Sequence, residues 1–381
     1  MSGWDHGRGA RPAFDALPGG PATGAAHGTS AGSRTAALTA CTGAATSTTP
    51  PRAAAVTDLA GAGSTFDAPF FNLAFPAYQQ AHSSTAISYD AVGSSAGITR
   101  FAAGQVNFGA TDVPASPADL AGARGGTALQ VPVDLGAVAV AVAYNVPGLN
   151  GTRLKLTGPV LAKIFLGQVT KWNDPALAVL NPGAGLPDAY ITVVHRSDGS
   201  GTTYIFSNYL SQVSPAWAKA AGTGRSLRWP AGTGADGNAG VAHAIETIPY
   251  SIGYAETSYT RGNAQGYAAI ANRDGNYVTP TPAAIAADAA AKPAISAQDF
   301  SIVNQPGAAA YPISGYSWVL ISARQPSEPA GQALVSLLSW LTHAGQSYAA
   351  SLSYVPMPAA IEQLASATLA RVTSPAGSLA S

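Results

Sequence analysis

The 381-residue chain contains a single cysteine, Cys41. That excludes an intramolecular disulfide framework and any cysteine-cluster metal site. Charge is scarce as well. Only 10% of residues are charged, against roughly 25% in ordinary soluble domains. The 19 Lys and Arg balance the 19 Asp and Glu, and the basic residues are scattered. A duplex-binding protein gathers positive charge on one face, so no nucleic-acid partner is expected. No apolar run reaches the roughly 18 residues that span a bilayer, so no transmembrane helix is expected. Six histidines are dispersed along the chain. His243 and Glu246 share a helix face at most, and a lone pair of that kind reads as surface rather than as a metal site. No G-x-x-x-x-G-K-[ST] stretch occurs, which argues against a P-loop nucleotidase.

What is abundant is small or apolar. Hydrophobic residues make up 47%, which excludes a wholly disordered chain. The 42 Gly and 28 Pro exceed the roughly 12% combined share of an average protein. The length suits two domains or one large one. Residues 1–56 are Gly, Ala, Pro, Ser and Thr, with Trp4, Phe14, Leu17 and Leu38 among few large apolar side chains. Such a segment cannot bury enough surface to offset its ordering entropy, so it reads as a disordered linker or processed leader. Within it, Leu38-Thr39-Ala40-Cys41 resembles the lipobox of bacterial lipoproteins, which makes Cys41 a candidate for lipidation. The apolar stretch before it is shorter than a signal peptide requires.

The rest of the chain alternates strand and helix patterns. Thr85–Tyr89, Ala137–Ala143, Ile191–Val194 and Trp318–Ile321 read as strands. Leu161, Ile164, Phe165 and Val169 mark a helix running to about Trp172, and Leu334–Ala349 is the strongest late helix. Residues 281–297 are Ala-rich and could be helix or loop. Strands feeding helices through Gly/Ser turns indicate an α/β architecture.

Three such turns share one chemistry: Gly61-Ala62-Gly63-Ser64-Thr65-Phe66, Gly93-Ser94-Ser95-Ala96-Gly97, and Arg196-Ser197-Asp198-Gly199-Ser200-Gly201-Thr202. Glycine lets backbone approach a ligand closely. A helix start offers unpaired N–H groups and a partial positive charge, and hydroxyls add donors. Three of these in one cleft would hold a tetrahedral oxyanion with little net charge, although each turn alone is equally an ordinary cap. Arg196 supplies a guanidinium fork, and Asp198 could orient it. Asp112, in Phe108-Gly109-Ala110-Thr111-Asp112, is a carboxylate beside these turns. It makes sense against an anion that carries a proton, as phosphate does at neutral pH and sulfate does not. It could equally cap a turn before Pro114.

Two rival motifs are present. Gly93-Ser94-Ser95-Ala96-Gly97 fits the G-x-S-x-G nucleophile elbow, which would make Ser95 the nucleophile of a hydrolase or phosphatase-like enzyme with His243 or His343 as base. Gly232-Thr233-Gly234-Ala235-Asp236-Gly237 fits G-x-G-x-x-G, but it follows Trp229-Pro230 rather than a strand, so a dinucleotide site is not expected.

The three turns, with Phe108–Asp112, Gly167-Gln168-Val169-Thr170-Lys171-Trp172-Asn173-Asp174, Trp229-Pro230, Ile252-Gly253-Tyr254 and Tyr311-Pro312-Ile313, closely resemble the substrate-binding proteins of the bacterial high-affinity ABC phosphate transporter, the Pst system. The resemblance spans about residues 57–370. It implies a class II periplasmic-binding-protein fold, two α/β lobes joined by a two-segment hinge near residues 135 and 312, with the ligand in the cleft. The implied division is 57–135 plus 312–372 for one lobe, 136–311 for the other, and 373–381 as a tail. It implies a non-enzymatic, extracytoplasmic monomer that captures inorganic phosphate, needs no cofactor, and docks on ABC permease membrane subunits. The implied phosphate-binding residues are Thr65, Phe66 (through its N–H), Ser94, Asp112, Arg196, Ser200, Gly201 and Thr202, with Asp198 orienting Arg196. The family usually has proline where this chain has Asp67, which adds negative charge near the site. His195 stands where the family often has a second basic residue.

Overall fold

The structure is a computed structural model that describes residues 56–121, 123, 126–142, 153–260 and 266–379, with the backbone path alone for 137–142. The leader and Cys41 lie outside the described residues. The chain opens with β1 (Thr57–Gly63), α1 (Ala68–Ala81), β2 (Thr85–Ala91), α2 (Ser94–Ala102), β3 (Phe108–Thr111) and the long β4 (Ala128–Val142). Next come β5 (Lys155–Leu156), α3 (Gly158–Phe165), α4 (Pro175–Ala178), β6 (Thr192–Arg196), α5 (Gly201–Val213), α6 (Pro215–Ala220), β7 (Thr233–Ala235), α7 (Gly237–Thr247), β8 (Ser251–Glu256) and α8 (Thr257–Thr260). The remainder comprises β9 (Gly266–Tyr267), β10 (Ala269–Ala271), β11 (Tyr277–Val278), α9 (Pro282–Ala290), β12 (Ser314–Ser322) and α10 (Glu328–Thr342). A 3₁₀ helix over Ala344–Leu352, α11 (Ala359–Leu369), β13 (Thr373–Ser374) and β14 (Gly377–Ser378) complete it.

One strand joins two α/β halves. The main sheet runs β2-β1-β3-β12-β4-β8-β6-β7. The first part of β4 pairs antiparallel with β12, up to Ala137, and from Val138 onward β4 pairs antiparallel with β8. On one side β1 is parallel to both β2 and β3. On the other, β6 is parallel to β7 and β8. The chain returns through Pro312 and Ile313 into β12. The segment set apart as a tail begins with the β13–β14 hairpin, and Gln325 N–H donates to Thr373 O at 2.8 Å.

Local sequence explains where helices begin and end. Helices α1, α3, α4, α6, α9 and α10 each carry a proline in their first two positions, where its missing N–H is no loss and its fixed φ suits the helix. The Ala-rich 281–297 stretch resolves into α9, whose N-cap Thr281 accepts from Ala284 N–H. The helix expected to run to Trp172 stops at Phe165 instead. Gly167, at φ +69°, supplies the left-handed residue that ends it. The helix expected to continue to Ala349 stops at Thr342, whose hydroxyl donates back to Leu338 O at 2.9 Å, and the chain continues as the 3₁₀ turn. Helix α1 seats Phe70, Phe71, Phe75 and Tyr78 in the core. Phe71 stacks on Phe75 at 4.6 Å and meets Tyr89 edge-on at 4.9 Å. Each such ring stabilises the fold by about 1.5–3 kcal/mol on burial. Among the described residues no helix is long and apolar enough to cross a membrane.

The interior also holds acids. Burial pushes Asp288 of α9 and Glu256 of β8 up to about 8, against hydrogen bonds from Ser314 and Gln305 to the first and from Ser258 to the second. A carboxyl raised in the native state binds its proton there and loses it in the unfolded chain. Stability from these groups is therefore full below pH 4 and is lost as pH rises toward 8. We expect the thermal midpoint of ligand-free protein to fall between pH 5.5 and 8, by on the order of 1 kcal/mol of stability per group and pH unit. A midpoint that rises across this range in calorimetry would contradict it.

Candidate functional site

Four strands of the main sheet end at one place, and each feeds a helix whose N-terminus faces it. They are β1 into α1, β2 into α2, β6 into α5 and β7 into α7. Ligands of α/β sheets bind outside the carboxyl ends of strands, and helix N-termini there favour anions.

Asp112 lies at the centre, 2% exposed. Its Oδ1 accepts from the hydroxyls of Ser64 and Ser317, the latter at 3.0 Å. Its Oδ2 accepts from Thr202 Oγ1 at 3.3 Å. Burial raises its pKa to about 6, opposed by the hydrogen bonds from Ser64 and Ser317, the charge of Arg196 and the Thr202 bond. The Ser64, Ser317 and Thr202 donors and the Arg196 charge all favour its ionised, accepting form. Arg196, at the end of β6, is 2% exposed. Its Nε donates to Asp198 Oδ1 at 2.6 Å, its Nη2 pairs with Oδ2, and its Nη1 donates to Thr202 Oγ1 at 3.4 Å.

The remaining candidates join the same cluster. Ser94 Oγ accepts from Gly201 N–H at 3.0 Å and from Asp112 N–H at 3.4 Å. Ser200 caps α5, accepting from Thr203 N–H at 3.1 Å. Phe66 N–H donates to Ser64 Oγ at 2.9 Å. A Cβ on Gly201 would overlap the Asp112 side chain, so glycine there permits the third turn to lie against the carboxylate. The Gly201 contacts with Ser94 and Asp112 link the two halves, and others reinforce them. Ser95 N–H donates to Gly199 O at 2.9 Å, and Arg225 forms an ion pair with Asp119.

Several residues of the cluster are invisible to motif reading. Asn238, fully buried, donates through Nδ2 to Thr65 Oγ1 at 2.9 Å and to Thr202 Oγ1 at 3.2 Å. It sits at the start of α7, after the glycine loop set aside as a failed dinucleotide motif. Ser64 belongs to the first turn but was not singled out. Three tyrosines hold that turn: Tyr89, Tyr259 and Tyr354 donate to the carbonyls of Ser64, Thr65 and Phe66 in succession.

Two expectations change. Asp67 is fully buried, and burial, then the charges of Asp134 and Asp112, raise its pKa well above the ordinary value. Its environment opposes the extra negative charge expected of it. The elbow reading of Ser95 finds no base: His343 contacts Ser339, Thr342 and Ser366, and His243 is exposed on α7. His195 stacks on Trp229 at 4.6 Å and burial lowers its pKa, in keeping with a weakly charged position. Among the described residues no cluster suits a metal ion.

This is the geometry of a two-lobed binding protein closed on a polar cleft. The PBP superfamily domain matches residues 45–342. The phosphate-binding protein PstS of Xylella fastidiosa is 40% identical over 316 residues, covering 82% of this chain and 85% of that one. PstS of Pasteurella multocida is 38% identical, covering 80% and 88%. A solved phosphate-binding protein from Stenotrophomonas maltophilia superposes with a TM-score of 0.61 over 81% of this chain and 93% of that one, at 18% identity. The chain belongs to the periplasmic-binding-protein superfamily and, within it, to the family of PstS phosphate-binding proteins.

The Arg225–Asp119 pair ties the halves across the cleft mouth, with side chains 19% and 23% exposed. A partly exposed pair is worth about 1 kcal/mol or less. Asp119→Ala should therefore raise the open fraction of ligand-free protein by up to about fivefold, read by energy transfer between dyes on the two lobes. An unchanged open fraction would show that the pair holds nothing shut.

Proposed function

We propose that this chain captures inorganic phosphate between its two lobes, outside the cytoplasm, and delivers it chemically unchanged to the permease subunits of an ABC importer. The lobes are residues 57–135 with 312–372, and 136–311. The observation that carries the reading is a buried carboxylate, Asp112, set among donors from four helix N-termini. Arg196, Thr65, Ser94, Thr202 and the N–H groups of Phe66 and Gly201 donate to phosphate oxygens, exchanging for them the bonds they make to one another and to Asp112 in the ligand-free cluster, with Ser200 capping their turn. Asp112 accepts the proton that phosphate retains. Hydrogen bonds to charged groups contribute about 1.5–3 kcal/mol each. Several of them, less association and desolvation costs, are consistent with an affinity of about −8 kcal/mol, or micromolar. Sulfate has no proton to give, so its oxygen would face the Asp112 carboxylate with both left unsatisfied. The protein works as a monomer. Cys41 is its lipid anchor, a part of the reading supported by the Leu38–Cys41 tetrapeptide.

Calorimetric titration of the full chain, unfolded and refolded to strip bound anion, tests this. Phosphate should bind one to one, with no heat from sulfate. Asp112→Asn, which replaces an acceptor by a donor, should narrow the phosphate-over-sulfate preference by about ten- to a hundredfold, the cost of an unsatisfied buried group. A folded mutant with undiminished preference would refute the role of Asp112, and a folded wild type that ignores phosphate would refute the function. For the anchor, mass spectrometry of membrane-extracted protein should find the chain beginning at a lipidated Cys41; an unmodified Cys41 in an uncleaved leader removes it.

A further inference from the structure

A second pair of acids lies one strand behind Asp112. Asp67 occupies the N-cap position of α1, yet its side chain caps nothing. Asp134 stands on β4 directly opposite Ser317 of β12, so their side chains share one face of the sheet. Ser317 in turn donates to Asp112 Oδ1. Asp67 and Asp134 are each 0% exposed; none of their four carboxylate oxygens has a partner at full hydrogen-bond geometry, and the groups close enough to act on them are each other's carboxyl and the Ser317 hydroxyl. Two ionised carboxylates so placed would each bear a desolvation cost that no donor offsets. Like charges held together in the interior do not both ionise.

The surroundings supply little relief. Burial and the charges of Asp134 and Asp112 hold the Asp67 proton on, and burial raises Asp134 to about 7. The other titratable groups facing the pair are Glu256 of β8, Tyr89 of β2, Tyr259 after β8 and Tyr354 beyond the 3₁₀ helix. The Arg196 charge acts on Asp112, and Asp198 already engages two of its nitrogens. The Ser317 hydroxyl has one proton to donate. While Asp134 keeps its own proton, Ser317 is free to serve Asp112. Once Asp134 ionises, it competes for the same hydroxyl.

Resting on the phosphate reading above, we propose that Asp67 and Asp134 are positioning residues that hold a proton behind Asp112 and, through Ser317, tune it as an acceptor, so that phosphate capture draws a proton from solvent and weakens as the pair ionises. The sign follows from charge. An anion entering the cleft disfavours a carboxylate nearby, so the pair takes up a proton on binding, and affinity falls as pH rises through neutrality.

The test is calorimetry of the full chain with phosphate from pH 6 to 8.5, in buffers of different ionisation enthalpy, which counts protons exchanged. The protonation of phosphate itself is common to wild type and variants and cancels in the comparison. Above pH 7 wild-type affinity should fall more steeply than that of Asp134→Asn, by up to about tenfold per pH unit, the limit for one linked proton. The extra proton uptake should vanish in Asp134→Asn. In Asp67→Asn it should move to lower pH, because an amide there can donate to Asp134 and favour its ionised form. Equal proton counts in phosphate-binding wild type and both folded variants would overturn the proposal. Infrared difference spectra of ligand-free wild type minus Asp134→Asn give a readout independent of phosphate, in which the raised acids Asp288 and Glu256 cancel. A carboxylic-acid band lost in the variant, present at pH 7 and titrating above it, supports the pair, and a difference spectrum without it overturns the proposal even if phosphate binds. A wild type that shows the difference band but binds no phosphate would instead retire the phosphate reading and, with it, the coupling.

Discussion

Keeping one carboxylate ionised inside the protein is the constraint from which the rest of the site follows. Burial alone would drive Asp112 toward its neutral form, and a neutral acid could not accept a proton from a ligand. The protein opposes this with donors drawn from distant parts of the chain. Ser64 comes from the first turn, Ser317 from the return strand, Thr202 from the far lobe, and the Arg196 charge from the end of β6. No single element can provide them, so the acceptor is fully supported only when the lobes are together.

The first turn shows how backbone is recruited to that end. Its carbonyls are occupied by Tyr89, Tyr259 and Tyr354. A buried carbonyl without a donor is costly, and these hydroxyls meet that need from three sides while fixing the path of Ser64–Phe66. Of the three, Tyr259 follows β8 in the opposite half, and so its bond to Thr65 O is a further link across the cleft. Asn238 does the same from α7, with its amide shared between Thr65 and Thr202. The tyrosines are buried as much for their hydroxyls as for their rings.

How legible all this was depends on the range of the interaction concerned. The three Gly/Ser turns, Arg196 with Asp198, and the α/β alternation could be read because each is written in a few consecutive residues. The stop of α3 at Gly167 is just as local, yet apolar spacing through Val169 outweighed it. Asn238 meets Thr65 across 173 positions, and Arg225 meets Asp119 across 106. No local pattern marks such partners. Asp67 is a different kind of failure. Its identity was read correctly, but its charge state depends on burial and on Asp134 and Asp112, none of which is visible from its neighbours in sequence.

A chain with zero formal net charge and few lysines gains little from long-range attraction of an anion, which surface charge is screened from providing beyond about 10 Å in salt. Under the proposed phosphate reading, selectivity comes instead from fixed dipoles and hydrogen bonds that act at contact. Four helix N-termini and one guanidinium supply the positive potential, and glycine at 201 lets the backbone reach the carboxylate. Such groups are already oriented before the ligand arrives, so little is lost in arranging them. They also differ from a cluster of lysines in one decisive respect. Lysines favour whichever anion carries more charge, whereas donors arranged around a single acceptor favour the anion that still has a proton to give.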